Sequence, residues 1–504
     1  MILEKTTIRL FQFRLNNINH FKQHPEEVQN EQLIRLIKKA RNTEWGLKYD
    51  YSSIKSYTDF ASRVPLQDYE DAKTHIHRMM EGEFNLLWPE KVQWFAQSSG
   101  TTNDKSKYIP VSPASLKECH YRGGMDTLAT YLNNTPHSKC LSGKGLILGG
   151  SHKPVAYNQH VKAGDLSAVL IENINPIANY FRTPGKEIIL MDEWESKLEA
   201  ICEKTCKKNV TSMSGVPSWF LVLIKKMLEK TGAKQLSEVW PNLEVFFHGG
   251  ISFTPYAQQY KELISSPNMS YMETYNASEG FFSLQDDLSD PAMLLMLDYG
   301  IFFEFIPIDD IESDNPAVVS IGDVELNRNY ALVISSINGL WRYKIGDTIK
   351  FTSKHPYKIM VTGRTRHFIN AFGEELMVSN AEKAMHIACE TTGAKVLEYT
   401  VAPVYMSAEL KGKHQWLIEF EKMPDSIETF THVLDDALKA LNSDYEAKRY
   451  KSITLEIPEI TIAGKGLFHD WLERRGKLGG QHKIPRLNNT RDIIEDILRT
   501  VMKV

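Results

Sequence analysis

The sequence predicts a mixed α/β fold in two parts, a large N-terminal domain followed by a smaller C-terminal α/β unit. Three observations predict it. Short apolar or alternating runs are followed by Gly/Ser/Thr loops and then by helical patterns, the order in which strand ends come to hold a ligand. The texture changes after Arg364, where strand-like runs lead into one long amphipathic helix. The 504 residues exceed what one hydrophobic core serves, so at about 150 residues per domain two or three domains are expected.

Taken in order, residues 25–44 carry Leu33, Ile34, Leu36, Ile37 and Ala40 at helical spacing with Gly46 beyond, which reads as an amphipathic entry helix. Residues 91–96, 145–148 and 243–247 read as strands, 116–132 as helix, and 270–274 as a short strand. The β-rich runs 331–337 and 340–345 flank Asn338-Gly339, the strongest short hairpin signal, and place Gly346-Asp347 close to the end of the second strand. Residues 363–375, with charges, two glycines and no helical period, are expected to connect the domains, which gives units 1–363 and 364–504. Beyond them 398–403 and 416–420 read as strands. A helix is expected to start near Asp425: Asp425 and Glu428 have capping-box spacing, and Ile427, Phe430, Leu434, Ala437, Leu438 and Leu441 share one face.

Composition removes several classes of function. Lys and Arg number 59 against 63 Asp and Glu, so no bulk basic field exists for nucleic acid or an anionic membrane. The most apolar stretch, 291–308, is broken by Asp298 and Glu304, which argues against a spanning helix. Glu4, Lys5, Arg9 and Arg14 interrupt any apolar core of a secretory signal, and five cysteines without zinc-type pairing fit free thiols. A cytoplasmic protein is expected. No H-E-x-x-H occurs, Gly143, Gly145 and Gly149 are spaced one residue too long for a dinucleotide fingerprint, and Gly149 to Lys153 lacks the second glycine of a nucleophile elbow.

Three segments can carry chemistry. SSGTTNDKSKYIP, residues 98–110, concentrates hydroxyls, a glycine and two lysines behind a strand. Backbone N–H groups, hydroxyls and ammonium groups suit a triphosphate, whose charge is spread over many oxygens. The string is not a Walker A loop, and composition alone fits a solvated loop too. YNASEG, residues 275–280, sets the carboxylate of Glu279 beside a glycine; Mg²⁺ asks for one or two such carboxylates next to phosphate oxygens, although a lone Glu in a turn is usually a surface charge. WRYKIGD, residues 341–347, ends in Asp347, which can accept both hydroxyls of a ribose, while Gly-Asp is also a common turn.

Taken together and in order, these segments resemble the signature of adenylate-forming enzymes, the superfamily of acyl-CoA synthetases, peptide-synthetase adenylation domains and luciferase. With YNASEGFF and the late GGQHKIPR, residues 479–486, the chain is more closely similar to the acyl-acid amido synthetases of the auxin-responsive promoter family, over nearly its whole length. The resemblance implies a large domain of the adenylate-forming type with a mobile C-terminal lid. It also implies an ATP- and Mg²⁺-dependent ligase that adenylates a small carboxylic acid and passes the acyl group to an amine, an amino acid above all. It assigns Ser98, Ser99, Thr101, Thr102, Lys105 and Lys107 to the phosphates and Glu279 to Mg²⁺. Gly249, Gly250, Thr274, Tyr275 and Asn276 fall to the adenine wall, and Asp347 and Arg364 to the ribose. Lys483 becomes the catalytic lysine of the lid. Two alternatives stand beside it: a coenzyme A ligase sharing the first half-reaction, and a nucleotide-binding protein without turnover. The acid pocket is expected along 116–132 and 152–179. Arg122 there is a candidate for a second acidic group on the substrate, or an ordinary surface arginine.

Overall fold

The computed structural model describes the chain apart from residues 1, 99–106, 150–160, 192, 251–252, 254–256, 312, 366–367, 370–375, 405–411, 443–444, 447–448, 450–454, 476–483, 489 and 502–504. It has two compact units. The first comprises Met1–Ile345 with Ile349–Met360, the second Gly346–Thr348 with Val361–Val504.

The first unit opens on two helices, Ile2–Gln23 and Pro25–Ala40. The second fits its sequence: Pro25 suits the first turn, Glu26 and Glu27 lie at the N-terminal end, Lys38 and Lys39 at the C-terminal end, and Leu33, Leu36, Ile37 and Ala40 are buried. It ends at Ala40 rather than near Glu44, because Thr43 caps a new short helix, Glu44–Lys48, by accepting from the Gly46 N–H. The helix Ile2–Gln23 was not expected from the apolar pattern. A buried ion triad helps hold it: Arg14 donates to Asp126 at 2.7 Å and to Asp298 at 2.8 Å, while the Tyr299 hydroxyl donates to Asp126. A buried cation is tolerable only with such complete pairing.

Strands β1 (Trp94–Ser98), β2 (Lys107–Val111) and β4 (Lys162–Gly164) form a small sheet in the order β2-β1-β4. The main sheet contains β3 (Lys144–Ile147), β5 (Arg182–Thr183), β6 (Val210–Gly215), β7 (Val245–Gly249), β8 (Ser270–Ala277), β9 (Gly280–Leu284) and β10 (Met293–Leu295). It also takes in β11 (Ile301–Pro307), β12 (Asn329–Ser336), β13 (Tyr343–Lys354) and β14 (Tyr357–Arg364). Its order is β11-β12-β13-β14-β10-β9-β8-β7-β6-β3-β5. The block β8-β7-β6-β3-β5 is parallel and β9 turns back antiparallel on β8. Two cores cover it, one around Phe282, Phe303 and Trp341, the other around Phe220, Phe246 and Tyr260.

The expected hairpin at Asn338-Gly339 joins β12 and β13, with Gly339 at φ +80°. Its second strand corrects the sequence reading: β13 runs on to Lys354, so Gly346-Asp347 lies inside it rather than close to its end. Gly346 adopts φ +89°. A glycine within a strand marks a bend as readily as a stop, and here β14 continues the pairing beyond it.

In the second unit β15 (Phe368–Ile369) pairs with β16 (Leu376–Met377), and β17 (Lys395–Val404), β18 (Lys413–Lys422) and β19 (Glu459–Ile462) form a three-stranded sheet in that order. Two helices, Val378–Thr392 and Ile427–Leu441, complete its core with Trp416, Phe430, Leu434 and Leu438. The cap of the second helix is Ser426, which accepts from the Thr429 N–H, one residue past the expected Asp425. No described helix is long and apolar enough to cross a membrane.

Candidate active site

Strand β7 ends at Gly249 beside the parallel strand β8, which runs on to Ala277. Gly249 and Thr274 are ladder partners, so the expected adenine-wall residues from two distant segments share one sheet edge. That edge requires glycine: a Cβ on Gly249 would stand 2.3 Å from the Thr274 carbonyl oxygen, and Gly250 has φ +82°. The Thr274 hydroxyl donates to the His248 carbonyl at 3.2 Å. Tyr275 is buried against Phe282, with 4.9 Å between ring centroids, and Asn276 is half-buried at the strand end. Carboxyl ends of parallel strands are where open α/β sheets hold ligands.

Glu279 sits in the tight turn from β8 to β9 and is only 8% exposed. Its backbone is fixed from behind: Asn338 Nδ2 donates to the Glu279 carbonyl at 3.2 Å, and Asn338 Oδ1 accepts from the Ser112 N–H at 2.9 Å. The Tyr343 hydroxyl is held well above its ordinary range by burial, then by the nearby charges of Glu279, Tyr69 and Asp68. Tyr69 in turn accepts from the Tyr108 N–H at 3.0 Å and carries the Lys107 ammonium 5.6 Å from its ring centroid. Ser98 and Lys107 are ladder partners at the ends of β1 and β2, so the candidate phosphate loop connects two paired strands. Ser99, Thr101, Thr102 and Lys105 lie outside the described residues, as does Lys483.

The segment before Asp347 is pinned. Arg342, at φ +44°, donates to Glu304 at 3.0 Å and to the carbonyls of Ala61 and Val64, both at 2.9 Å. Glu304 is fully buried and also accepts from the Tyr57 hydroxyl. A positive φ outside glycine is held only where the surroundings over-determine it, as they do here.

In the second unit Asp347 is 7% exposed. Thr348 and Thr362 hydroxyls hydrogen-bond across the strands at 3.0 Å, and the Thr365 N–H donates to the Gly346 carbonyl at 2.8 Å. This sets Asp347 on a strand beside the end of β14, where Arg364 stands.

Sequence reasoning missed four residues of this region: Tyr69, His120, Tyr343 and Asn338 as a support. Tyr343 lay inside a quoted motif, Asn338 was read only as a hairpin turn, His120 lay unremarked in the 116–132 helix, and Tyr69 lacked any local pattern. Arg122 is half-buried and donates to the Asp298 carbonyl at 3.1 Å. Burial lowers His120 to about 4 and His248 to about 3. Both rings are neutral in the fold and must stay so; the unfolded chain takes up protons first as pH falls through about 6.5. Their contribution is therefore complete above that value and is lost toward pH 4. His248→Phe, which also removes an Nδ1 with no partner among the described residues, is expected to flatten this acid loss by on the order of 3 kcal/mol at pH 4 in urea unfolding. An unchanged slope with pH counts against it.

Three family models match the chain: GH3 family N-terminal domain over residues 14–269, GH3 family central domain over 294–364 and GH3 family C-terminal domain over 379–492. The indole-3-acetic acid-amido synthetase GH3.4 of Arabidopsis thaliana is 22% identical over 94% of this chain and 91% of its own length. The jasmonoyl-L-amino acid synthetase JAR6 of Nicotiana attenuata is also 22% identical, over 91% and 90%. The structure of a GH3.15 acyl acid amido synthetase superposes with a TM-score of 0.78 at 17% identity, covering 96% of this chain and 95% of that one. A 2-hydroxyisobutyryl-CoA ligase in the postadenylation state gives 0.62 at 12% identity, over 95% and 92%. These two are likenesses of fold.

Proposed function

Since the chain belongs to the GH3 family, we propose that it is an ATP-dependent ligase that adenylates a small carboxylic acid and transfers the acyl group to an amino acid, releasing pyrophosphate and AMP. The observation that carries the reading is the strand edge where Gly249 and Thr274 meet and the chain runs on into the fixed Glu279 turn. Gly249, Gly250, Thr274, Tyr275 and Asn276 form the adenine wall. Ser98, Ser99, Thr101, Thr102, Lys105 and Lys107 bind phosphate, and Asp347 with Arg364 binds the ribose. Residues 1–363 bind nucleotide and acid, 364–504 act as a lid bringing Lys483, and the protein works in the cytoplasm.

One buried carboxylate on a rigid turn suits Mg²⁺, which takes one or two protein carboxylates and completes its shell with phosphate oxygens. Bound there, the ion would neutralise phosphate charge. The chain's own part is positioning: the substrate carboxylate and the α-phosphate repel one another, and holding both in line with cations nearby lowers the barrier without a protein nucleophile. In the second half-reaction a neutral amine attacks the acyl carbon and AMP leaves.

Pyrophosphate exchange into ATP across a panel of acids, followed by mass spectrometry with mixed amino acids and coenzyme A, tests this. Exchange with an acid and an amide product is expected. A thioester product replaces the amide reading, and folded, ATP-binding protein without exchange on any acid removes the enzyme. Asp347→Ala is expected to weaken ATP binding by about 1.5 to 3 kcal/mol, because two ribose hydroxyls lose a charged acceptor. Calorimetry showing unchanged affinity takes Asp347 out of the site.

A further inference from the structure

Two irregularities face each other behind the Glu279 turn. On β8 a bulge falls between Tyr275 and Asn276. On the packed helix the turn Leu116–His120 is π-helical before regular helix resumes over Tyr121–Asn134. Both features break a ladder, re-aim side chains and concentrate at functional sites. Here they interlock. Cys119 Sγ accepts the Phe281 N–H at 3.1 Å, and His120 Nδ1 lies 3.0 Å from Asn276 Oδ1. Asn276 and Phe281 are the ladder pair that follows the bulge. Gly123 lets the helix close on them, since a Cβ there would stand 2.4 Å from the Phe281 ring.

The hydrogen bond has one sensible direction. His120 is 3% exposed and neutral, so its ring carries a single N–H. Placed on Nδ1, that hydrogen goes to the amide oxygen. The reverse arrangement would move it to Nε2, which is buried and has no partner among the described residues, and an orphaned N–H costs more than an orphaned lone pair. Asn276 Oδ1 is thus tied back to the protein. Among the described residues no atom accepts from its Nδ2 amino group, which is the part left for a ligand.

We propose that His120 is a positioning residue that holds the Asn276 amide with its amino group toward the nucleotide base, making the site select a base with an acceptor at ring position N1. Adenine has that lone pair; guanine and hypoxanthine carry N1–H instead. This rests on Asn276 belonging to the adenine wall. Without the His120 donor the amide turns freely and can offer its oxygen to either purine.

The test is KM for ATP and for GTP in pyrophosphate exchange, with calorimetric binding of both nucleotides as the readout independent of turnover. His120→Phe is expected to raise KM for ATP about tenfold with kcat little changed and to narrow the preference over GTP. His120→Gln, which keeps a donor, restores most of it, and adding His120→Phe to Asn276→Ala costs nothing further. Asn276→Asp presents an oxygen in place of the amino group and shifts preference toward GTP; this variant decides the matter if His120→Phe does not fold. Equal changes for both nucleotides, a loss confined to kcat, additive double-variant effects, or an Asn276→Asp enzyme with unaltered preference overturns the role of His120. Wild-type protein that binds neither nucleotide overturns the proposed function itself, a separate result.

Discussion

Glu279→Ala is expected to lower acyl-adenylate formation on the order of 10²- to 10³-fold while the protein stays folded. The side chain projects from a turn whose backbone is held by Asn338, and that bond goes to the Glu279 carbonyl, which alanine retains. Truncation therefore removes the carboxylate and leaves that backbone support in place. The loss arises because the phosphates keep their charge as the acid approaches, and repulsion between the two anions is part of the barrier. Glu279→Gln, with the same shape and no charge, is expected to lose nearly as much. Exchange measured across a magnesium titration, with thermal unfolding in parallel, separates the cases. Wild-type exchange in either variant at saturating magnesium takes Glu279 out of the chemistry. Partial recovery at high magnesium supports a lost ligand.

Gly249-Gly250 entered only through the family resemblance: the close approach that demands glycine at 249 comes from Thr274 on the next strand. The segment YNASEG, by contrast, could be singled out because it spans one strand end and one turn. The same holds for the helix Ile427–Leu441, whose apolar face is plain in the sequence and whose cap lay one residue beyond expectation. What could not be read is long-range. The helix Ile2–Gln23 is anchored by Arg14 to carboxylates 112 and 284 positions away, a pairing with no periodic trace. His120 meets Asn276 across 156 residues, and only a non-α turn aims it there. Tyr343 reads as one more aromatic of a strand start, and only its full burial and the charge of Glu279 set it apart. Gly346 is read as a stop because a glycine turn signal says nothing of the neighbouring strand that carries β13 onward.

Lys483→Ala is expected to cut acyl-adenylate formation by on the order of 10²- to 10³-fold and to leave amine attack on a supplied acyl-adenylate within about threefold of wild type. The asymmetry follows from where charge develops. In adenylation the pentacoordinate phosphorus and the departing pyrophosphate are anionic, and an ammonium group nearby offsets charge that water would otherwise have to solvate. When the amine attacks, the reacting centre is carbon, the phosphoryl group is leaving as AMP, and the same ammonium group has little left to stabilise. Lys483→Arg keeps the charge on a longer, planar group and is expected to recover only part of the rate, since a fork in place of a point charge changes the geometry at phosphorus. The opposing picture is a solvated lysine next to Gly479-Gly480, for which neither step changes. Single-turnover measurement of each half-reaction distinguishes them: a loss confined to adenylation assigns Lys483 to the phosphorus, whereas equal loss in both steps, or in neither, denies it that role and leaves the strand-edge nucleotide site to be tested by itself.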